Sequence, residues 1–184
     1  MKSKDAIRLA GKVGMLSAAM WLAALFIEYR YGLQPPGDGS TLFYVDQIFF
    51  TLALAGYVIL LFGYWRSGPA GEGRFGRISL GIFIGGLLSL LVAGGVQLAT
   101  RNPDFFLFPV GGILQLLGGL LTGIAVVITG KWKGWQRFAP LVQGLYYLIV
   151  LFVPIAVANQ SPTQLTESLW QVAWFFSSLA LFTA

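Results

Sequence analysis

Glycine, proline and charged residues divide the chain into six long apolar runs, and this pattern constrains the fold more than any other feature. A transmembrane helix needs roughly 20 apolar residues, because each residue adds about 1.5 Å and the hydrocarbon core is about 30 Å thick. We predict one membrane span for each run, at about 10–29, 43–65, 78–99, 107–129, 138–158 and 168–184. The predicted fold is an all-α bundle of six transmembrane helices, forming a single membrane domain over residues 1–184.

The composition agrees with a membrane location. Hydrophobic residues make up 57% of the chain and charged residues only 10%, whereas a soluble domain is about 45–50% apolar and about 25% charged. A basic start followed by an apolar run also resembles a signal peptide. We expect the first run to be retained, because it is long and the following "IEYRYG" offers no small-residue cleavage site.

Basic residues predict the orientation of the bundle. Only Arg30 and Arg101 lie on one side of the predicted membrane. The other side holds Lys2, Lys4, Arg8, Lys12, Arg66, Arg74, Arg77, Lys131, Lys133 and Arg137. The excess of Lys and Arg in cytoplasmic loops then predicts a multi-pass protein of the plasma (inner) membrane with both termini in the cytoplasm. This topology also explains the net charge of +5 without a nucleic-acid partner.

Two predicted inner loops carry similar sequences. The segment "RFGRISLG" at 74–81 matches "RFAPLVQG" at 137–144 in an arginine, a phenylalanine, an aliphatic residue and a glycine. Upstream, "GYWR" at 63–66 resembles "GKWK" at 130–133. One interpretation is a parallel duplication of the hairpin of spans 2 and 3 onto that of spans 4 and 5. The other is that every inner hairpin places a cation and an aromatic residue at the membrane interface.

Small residues predict which helices pack closely. Apolar helices gain little from mutual contact in lipid, so association depends on small side chains that let backbones approach. Four-residue spacing indicates packing of span 3 against span 4 through Gly81, Gly85, Ser89, Gly119 and Gly123. Within span 5, Pro154 should kink the helix or loosen its outer third, because proline removes a backbone hydrogen bond.

The few polar residues of the spans concentrate in the predicted outer half. One hypothesis is an outer vestibule that binds a ligand through Glu28, Arg30, Asp46, Gln47, Gln97, Arg101, Gln115 and Gln171. Counting back from Trp65 puts Asp46 at the outer boundary of the hydrocarbon, with Gln115 deeper. The alternative is that the carboxylates reach water or cap helices while the amides form hydrogen bonds between helices.

Catalytic chemistry has little support in the sequence. The chain has no Cys and no His, which removes thiolate nucleophiles, imidazole bases and the usual zinc or haem ligands. We therefore predict no catalytic residue, no metal and no cofactor. The first functional hypothesis is a non-enzymatic accessory or scaffold subunit of a membrane assembly, or a homo-oligomer, whose partners are the bilayer and other subunits or itself. The alternative is a small transporter, channel or lipid-binding protein that uses the outer vestibule.

Overall fold

Helices account for most of the chain, and the part that the structure describes contains no strand. The computed structural model describes residues 3–32, 40–101, 105–160 and 162–184. In chain order the elements are α1 (Ser3–Tyr31), α2 (Thr41–Ser67), α3 (Arg74–Thr100), α4 (Leu107–Thr129), a 3-10 turn (Gly134–Arg137), α5 (Ala139–Tyr146), a π-helix (Tyr147–Phe152), α6 (Val153–Ala158) and α7 (Gln164–Thr183).

Length and apolar composition qualify five segments of the described chain to cross a membrane. They are Lys4–Tyr31, Thr41–Ser67, Arg74–Thr100, Leu107–Thr129 and Ala139–Ala158. They cover five of the six apolar runs, and the multi-pass helical membrane protein predicted from sequence is supported at this level. The sixth run forms α7, which has 20 residues but is not among these segments.

The helices form a closed ring in chain order. Each helix from α1 to α4 packs against the next helix in the chain, and α7 closes the ring by packing against both α5 and α1. Helix α7 runs antiparallel to α1, because Phe182 faces Gly11 at one end and Trp170 meets Trp21 farther along. Large aromatic side chains fill the centre, where Tyr57 of α2 stacks on Trp174 of α7 with ring centroids 4.1 Å apart.

Helices α3 and α4 make the most extensive contact in the bundle, and glycine allows their close approach. A Cβ atom on Gly118 would collide with the backbone of Phe83, and one on Gly86 would lie 2.6 Å from the backbone nitrogen of Gln115. The predicted contact through Gly81 and Gly85 differs from this arrangement. A Cβ on either glycine would meet open space, because the face of α3 that contacts α4 is the one carrying Gly86.

The other predicted packing residues divide between two roles. Gly123 contacts α5, where an added Cβ would lie 2.7 Å from the backbone nitrogen of Leu141. A Cβ on Gly119 would lie 3.4 Å from the ring of Phe83 and 3.7 Å from the Cα of Gly144. Ser89 is half-buried and donates its hydroxyl to the carbonyl of Gly85 within its own helix, at 2.9 Å. The α4–α5 contact therefore depends on Gly123, whereas Gly119 has room for a side chain and Ser89 forms a hydrogen bond within its own helix.

The fifth apolar run is not one regular helix. It is α-helical over Ala139–Tyr146, π-helical over Tyr147–Phe152 and α-helical again over Val153–Ala158. The backbone N–H of Val153 donates to the carbonyl of Leu148, five residues earlier. Pro154 follows immediately and has no N–H to donate, so the wider turn absorbs the mismatch that proline imposes on a helix interior. Sequence predicted a disturbance here, but not its form.

The glycine contact between α3 and α4 can be tested with a matched pair of substitutions. Gly118→Ala should lower the free energy of unfolding by about 1–3 kcal/mol, because the added methyl group forces the helix backbones apart. Gly85→Ala should leave stability unchanged or raise it, because its Cβ would enter open space and alanine favours helix over glycine by about 0.5–1 kcal/mol. Denaturant titration of both variants in detergent measures the difference. Equal stabilities would contradict the packing described.

Candidate functional site

Charged groups separate between the two ends of the bundle. At one end, Lys131 forms an ion pair with Glu72 at 3.5 Å, and Gln136 donates to the hydroxyl of Thr183 at 2.9 Å. The start of α1 and the end of α7 also meet there. This end gathers the loops that carry most of the basic residues. The acidic residues Glu28, Asp46 and Glu167, which we call the carboxyl cluster, lie at the opposite end.

The carboxyl cluster joins three helices. Glu28 is near the end of α1, Asp46 in the second turn of α2, and Glu167 in the first turn of α7. Glu28 lies within electrostatic range of both Asp46 and Glu167. Glu167 is held in place because Thr163 and Thr166 form a capping box at the start of α7, and the hydroxyl of Tyr146 donates to the carbonyl of Thr166 at 2.9 Å.

Asp46 is buried rather than exposed at the membrane boundary. Its side chain is only 2% exposed, and one carboxyl oxygen accepts a hydrogen bond of 2.9 Å from the amide of Gln47. The other carboxyl oxygen of Asp46 and the amide oxygen of Gln47 have no partner among the described residues. The Asp46 carboxyl group is thus enclosed by the bundle, and its predicted position at the outer boundary of the hydrocarbon stays a prediction.

The basic residues predicted for the vestibule do not neutralise this cluster. Arg30 and Arg101 are exposed, and neither forms an ion pair with a carboxylate within the described ranges. The guanidinium of Arg30 lies over the ring of Tyr31, 5.6 Å from the ring centroid. The carboxyl cluster therefore has no ion-pair partner in the part of the chain that is described.

The predicted amides have three different environments. Gln171 is fully buried, and its amide oxygen accepts a hydrogen bond of 2.5 Å from the hydroxyl of Tyr57. Gln97 is buried near the end of α3. Gln115 is 2% exposed, and neither its amide oxygen nor its amide nitrogen has a hydrogen-bond partner among the described residues. Gln115 thus differs from Gln171, although both were predicted for one vestibule.

Gln115 faces a pocket between the helices. The pocket has a volume of about 240 Å³ and is open on one side. It is lined by Trp21, Phe50, Leu90, Gln115, Tyr147, Leu151, Phe152, Ile155, Pro162, Glu167 and Trp170. We call this the interhelical pocket. Its walls are mainly apolar and aromatic, and its polar groups include the Gln115 amide and the Glu167 carboxyl.

Aromatic contacts hold the walls of the interhelical pocket. The ring of Trp21 lies 4.8 Å from that of Phe50 and 5.6 Å from that of Trp170, both edge-on. Tyr147 packs against Trp170 at 4.9 Å. Its hydroxyl would lie 3.1 Å from a Cβ on Gly112, so glycine leaves room for that hydroxyl against α4. Close approach of α3 to α4 at Gly86 fixes the backbone that carries Gln115.

The structure therefore brings together only part of the predicted vestibule. Gln115 lines the interhelical pocket, Asp46 and Gln47 pair with each other, and Arg30 and Arg101 face outward. Sequence reasoning missed Glu167, Trp21, Tyr147 and Trp170. One signal was present: Trp21 lies in the middle of the first apolar run, whereas tryptophan in membrane proteins favours the interfaces. Glu167 gave no such signal, since it precedes the last run.

The interhelical pocket combines apolar walls with a few polar groups. Described residues include no group of three or more acidic, His or Cys side chains placed to hold a metal ion. An apolar cavity with a few polar groups is the usual form of a small-molecule site, although drug-sized sites begin at about 300 Å³. The pocket suits one acyl chain or one ring that carries a polar group.

Comparison with known proteins adds no functional assignment. The chain matches no family model, and no curated protein or solved structure shows significant similarity to it.

Proposed function

We propose that this protein spans the plasma membrane six times with both termini in the cytoplasm. Helix α7 supports the sixth span, because it lies antiparallel along α1 from Gly11 to Trp21. Its polar residues explain its lower hydropathy: Gln171, Ser177 and Ser178 are buried inside the bundle. Between its polar end residues Gln164 and Thr183, α7 exposes apolar side chains, namely Leu165, Leu169, Val172, Phe175 and Phe176. Such a helix can cross lipid while its polar face packs against protein.

The orientation follows from the distribution of charge. Short loops rich in Lys and Arg are retained in the cytoplasm, and the end of the bundle with the Lys131–Glu72 pair carries these loops. The interhelical pocket and the carboxyl cluster would then lie in the outer half of the membrane. The single domain and its origin by hairpin duplication stay predictions.

Binding of one amphiphilic molecule in the interhelical pocket is the function that the geometry supports best. It belongs to the transporter, channel or lipid-binding alternative and needs no catalysis. The main support is Gln115, whose amide is buried beside an apolar cavity and has no hydrogen-bond partner among the described residues. An unpaired buried polar group costs about 1–3 kcal/mol. A ligand with an apolar body and one hydrogen-bonding group would satisfy the amide and fill the cavity.

The irregular fifth segment supports a binding role as well. The π-helix supplies Tyr147, Leu151 and Phe152 to the pocket wall, and α6 supplies Ile155. π-helical turns inside α-helices occur frequently at functional sites. Because this wall is already interrupted at Pro154, its side chains can adjust around a ligand with less loss of regular hydrogen bonding than an unbroken helix would suffer.

An accessory or scaffold role stays a prediction. Large apolar side chains cover the outside of the bundle, including Phe26, Ile128, Ile149 and Val157. Lipid alone explains such a surface, and the described residues give it no feature that selects a protein partner.

Replacement of the unpaired amide tests the proposed function. Gln115→Leu should weaken saturable binding of ω-bromooctanol by about tenfold, the equivalent of one lost hydrogen bond. Its stability should stay equal or rise, because a buried unpaired amide is removed. Quenching of tryptophan fluorescence by the bromine reports binding, since Trp21 and Trp170 line the pocket. Partition of the probe into detergent gives only a background without saturation.

The matched control is Gln143→Leu. Gln143 is equally buried, at 2% exposure, but lies outside the interhelical pocket, so its variant should retain the wild-type affinity. Tight binding of ω-bromooctanol by the Gln115→Leu variant, or no saturable binding by the wild type, would contradict the proposal.

Single cysteines test the topology, since the chain has none of its own. With a membrane-impermeant maleimide on intact cells, Gln160→Cys should be labelled. Glu72→Cys should react only after permeabilisation, because its loop is predicted to be cytoplasmic. Gly71 and Gly134 mark cytoplasmic loops in the same prediction, and Gly37, predicted to be outside, lies beyond the described residues. Reversal of this pattern would overturn the orientation and place the pocket in the inner half.

A further inference from the structure

We propose that the interhelical pocket selects an amphiphile with a cationic head, in the form of a quaternary or protonated amine on an apolar body. This inference rests on the proposed function and adds the charge of the ligand. It is carried by Glu167 in the pocket wall, by the rest of the carboxyl cluster beside it, and by the aromatic walls.

Acidic side chains lie in and beside the pocket. Glu167 lines the pocket and lies within electrostatic range of Glu28, which is in turn within range of Asp46. No Lys or Arg of the described residues forms an ion pair with any of the three. Acidic groups inside a membrane bundle usually pair with a partner of opposite charge. A bound cation would provide the positively charged partner that the described residues do not supply.

Aromatic side chains form much of the pocket wall. Indole, phenol and phenyl rings attract a cation placed over their faces, and tryptophan does so most strongly. The pocket presents Trp21, Phe50, Tyr147, Phe152 and Trp170. Aromatic side chains that surround a quaternary ammonium are an established form of recognition. An anionic amphiphile would face the same rings with the opposite sign and would be repelled by Glu167.

The pocket also contains a polar group that has no hydrogen-bond partner among the described residues. Gln115 is nine-tenths buried or more, and its amide oxygen is unpaired within the described ranges. That oxygen can accept a hydrogen bond from a protonated amine or lie against the polarised methyl groups of a quaternary ammonium. The carboxyl cluster therefore does not stand alone, since the rings favour a cationic head group and the amide oxygen can accept a hydrogen bond from one.

A series of probes with one tail and three heads tests the inference. The probes are ω-bromooctyl-trimethylammonium, ω-bromooctanol and ω-bromooctylsulfonate, each titrated against purified full-length protein and followed by tryptophan quenching. The wild type should bind the cation about tenfold more tightly than the alcohol, in the range of a desolvated cation–π contact. It should bind the sulfonate most weakly.

Two variants connect the selectivity with the carboxyl cluster. Glu167→Gln should remove most of the preference for the cation over the alcohol, measured as the ratio of the two affinities in the same variant, and Glu28→Gln should reduce this ratio less, since Glu28 does not line the pocket. Glu72→Gln is the control, because Glu72 pairs with Lys131 at the opposite end of the bundle. It should behave as the wild type.

Lipid composition distinguishes two sources of the same chemistry. In phosphatidylcholine nanodiscs, competition by the choline head group would weaken the apparent affinity for the cationic probe relative to nanodiscs of an uncharged galactolipid, whose surface does not concentrate cations, and would identify a lipid head group as the occupant. Equal affinities in both would identify a free amphiphilic amine. Either result supports the cationic class.

The outcomes separate this inference from the proposed function. Saturable binding of the alcohol with no preference for the cation, or a preference that survives Glu167→Gln, would overturn the inference and leave the proposed function intact. Failure of all three probes to bind saturably would overturn both.

Discussion

Close approach of helix backbones at glycine is the interaction on which the rest of the bundle depends. Lipid does not press apolar helices together, so contact must be gained by packing. Gly86 and Gly118 bring α3 against α4, and Gly123 brings α4 against α5. These contacts hold α3, α4 and α5 together, and large aromatic side chains fill the centre of the bundle. The interhelical pocket lies between Trp21, Tyr147 and Trp170, where these rings meet without closing the space.

The second constraint is the absence of water inside a bilayer, which raises the free-energy cost of a buried polar group that has no hydrogen-bond partner. Tyr57 and Gln171 form a structural contact, with a short hydrogen bond beneath the stacked ring of Trp174. Gln115 is almost as deeply buried in the bundle as Gln171 but has no such partner among the described residues. The difference arises because α7 presents Gln171 to α2, whereas α4 presents Gln115 to a cavity.

The positions of the helices along the chain could be predicted, but their rotation could not. Long apolar runs bounded by glycine, proline and charge predict spans because length and hydropathy are properties of the chain alone. Span 3 has small residues on more than one face, and only the neighbouring helix decides that Gly86 forms the contact while Gly81 and Gly85 face open space. Because the rotation of each helix about its axis could not be predicted, Gln115 and Gln171 were both expected to line one vestibule. Pro154 predicted an irregularity, but not that it takes the form of a π-helix over Tyr147–Phe152.

A cryo-EM structure of the protein in lipid nanodiscs would show whether the interhelical pocket holds an amphiphile. We expect elongated density between Trp21, Tyr147 and Trp170, with its polar end within hydrogen-bonding distance of the Gln115 amide. A closed pocket, in which Trp170 or Tyr147 fills the space and Gln115 forms a hydrogen bond to a neighbouring helix, would contradict it.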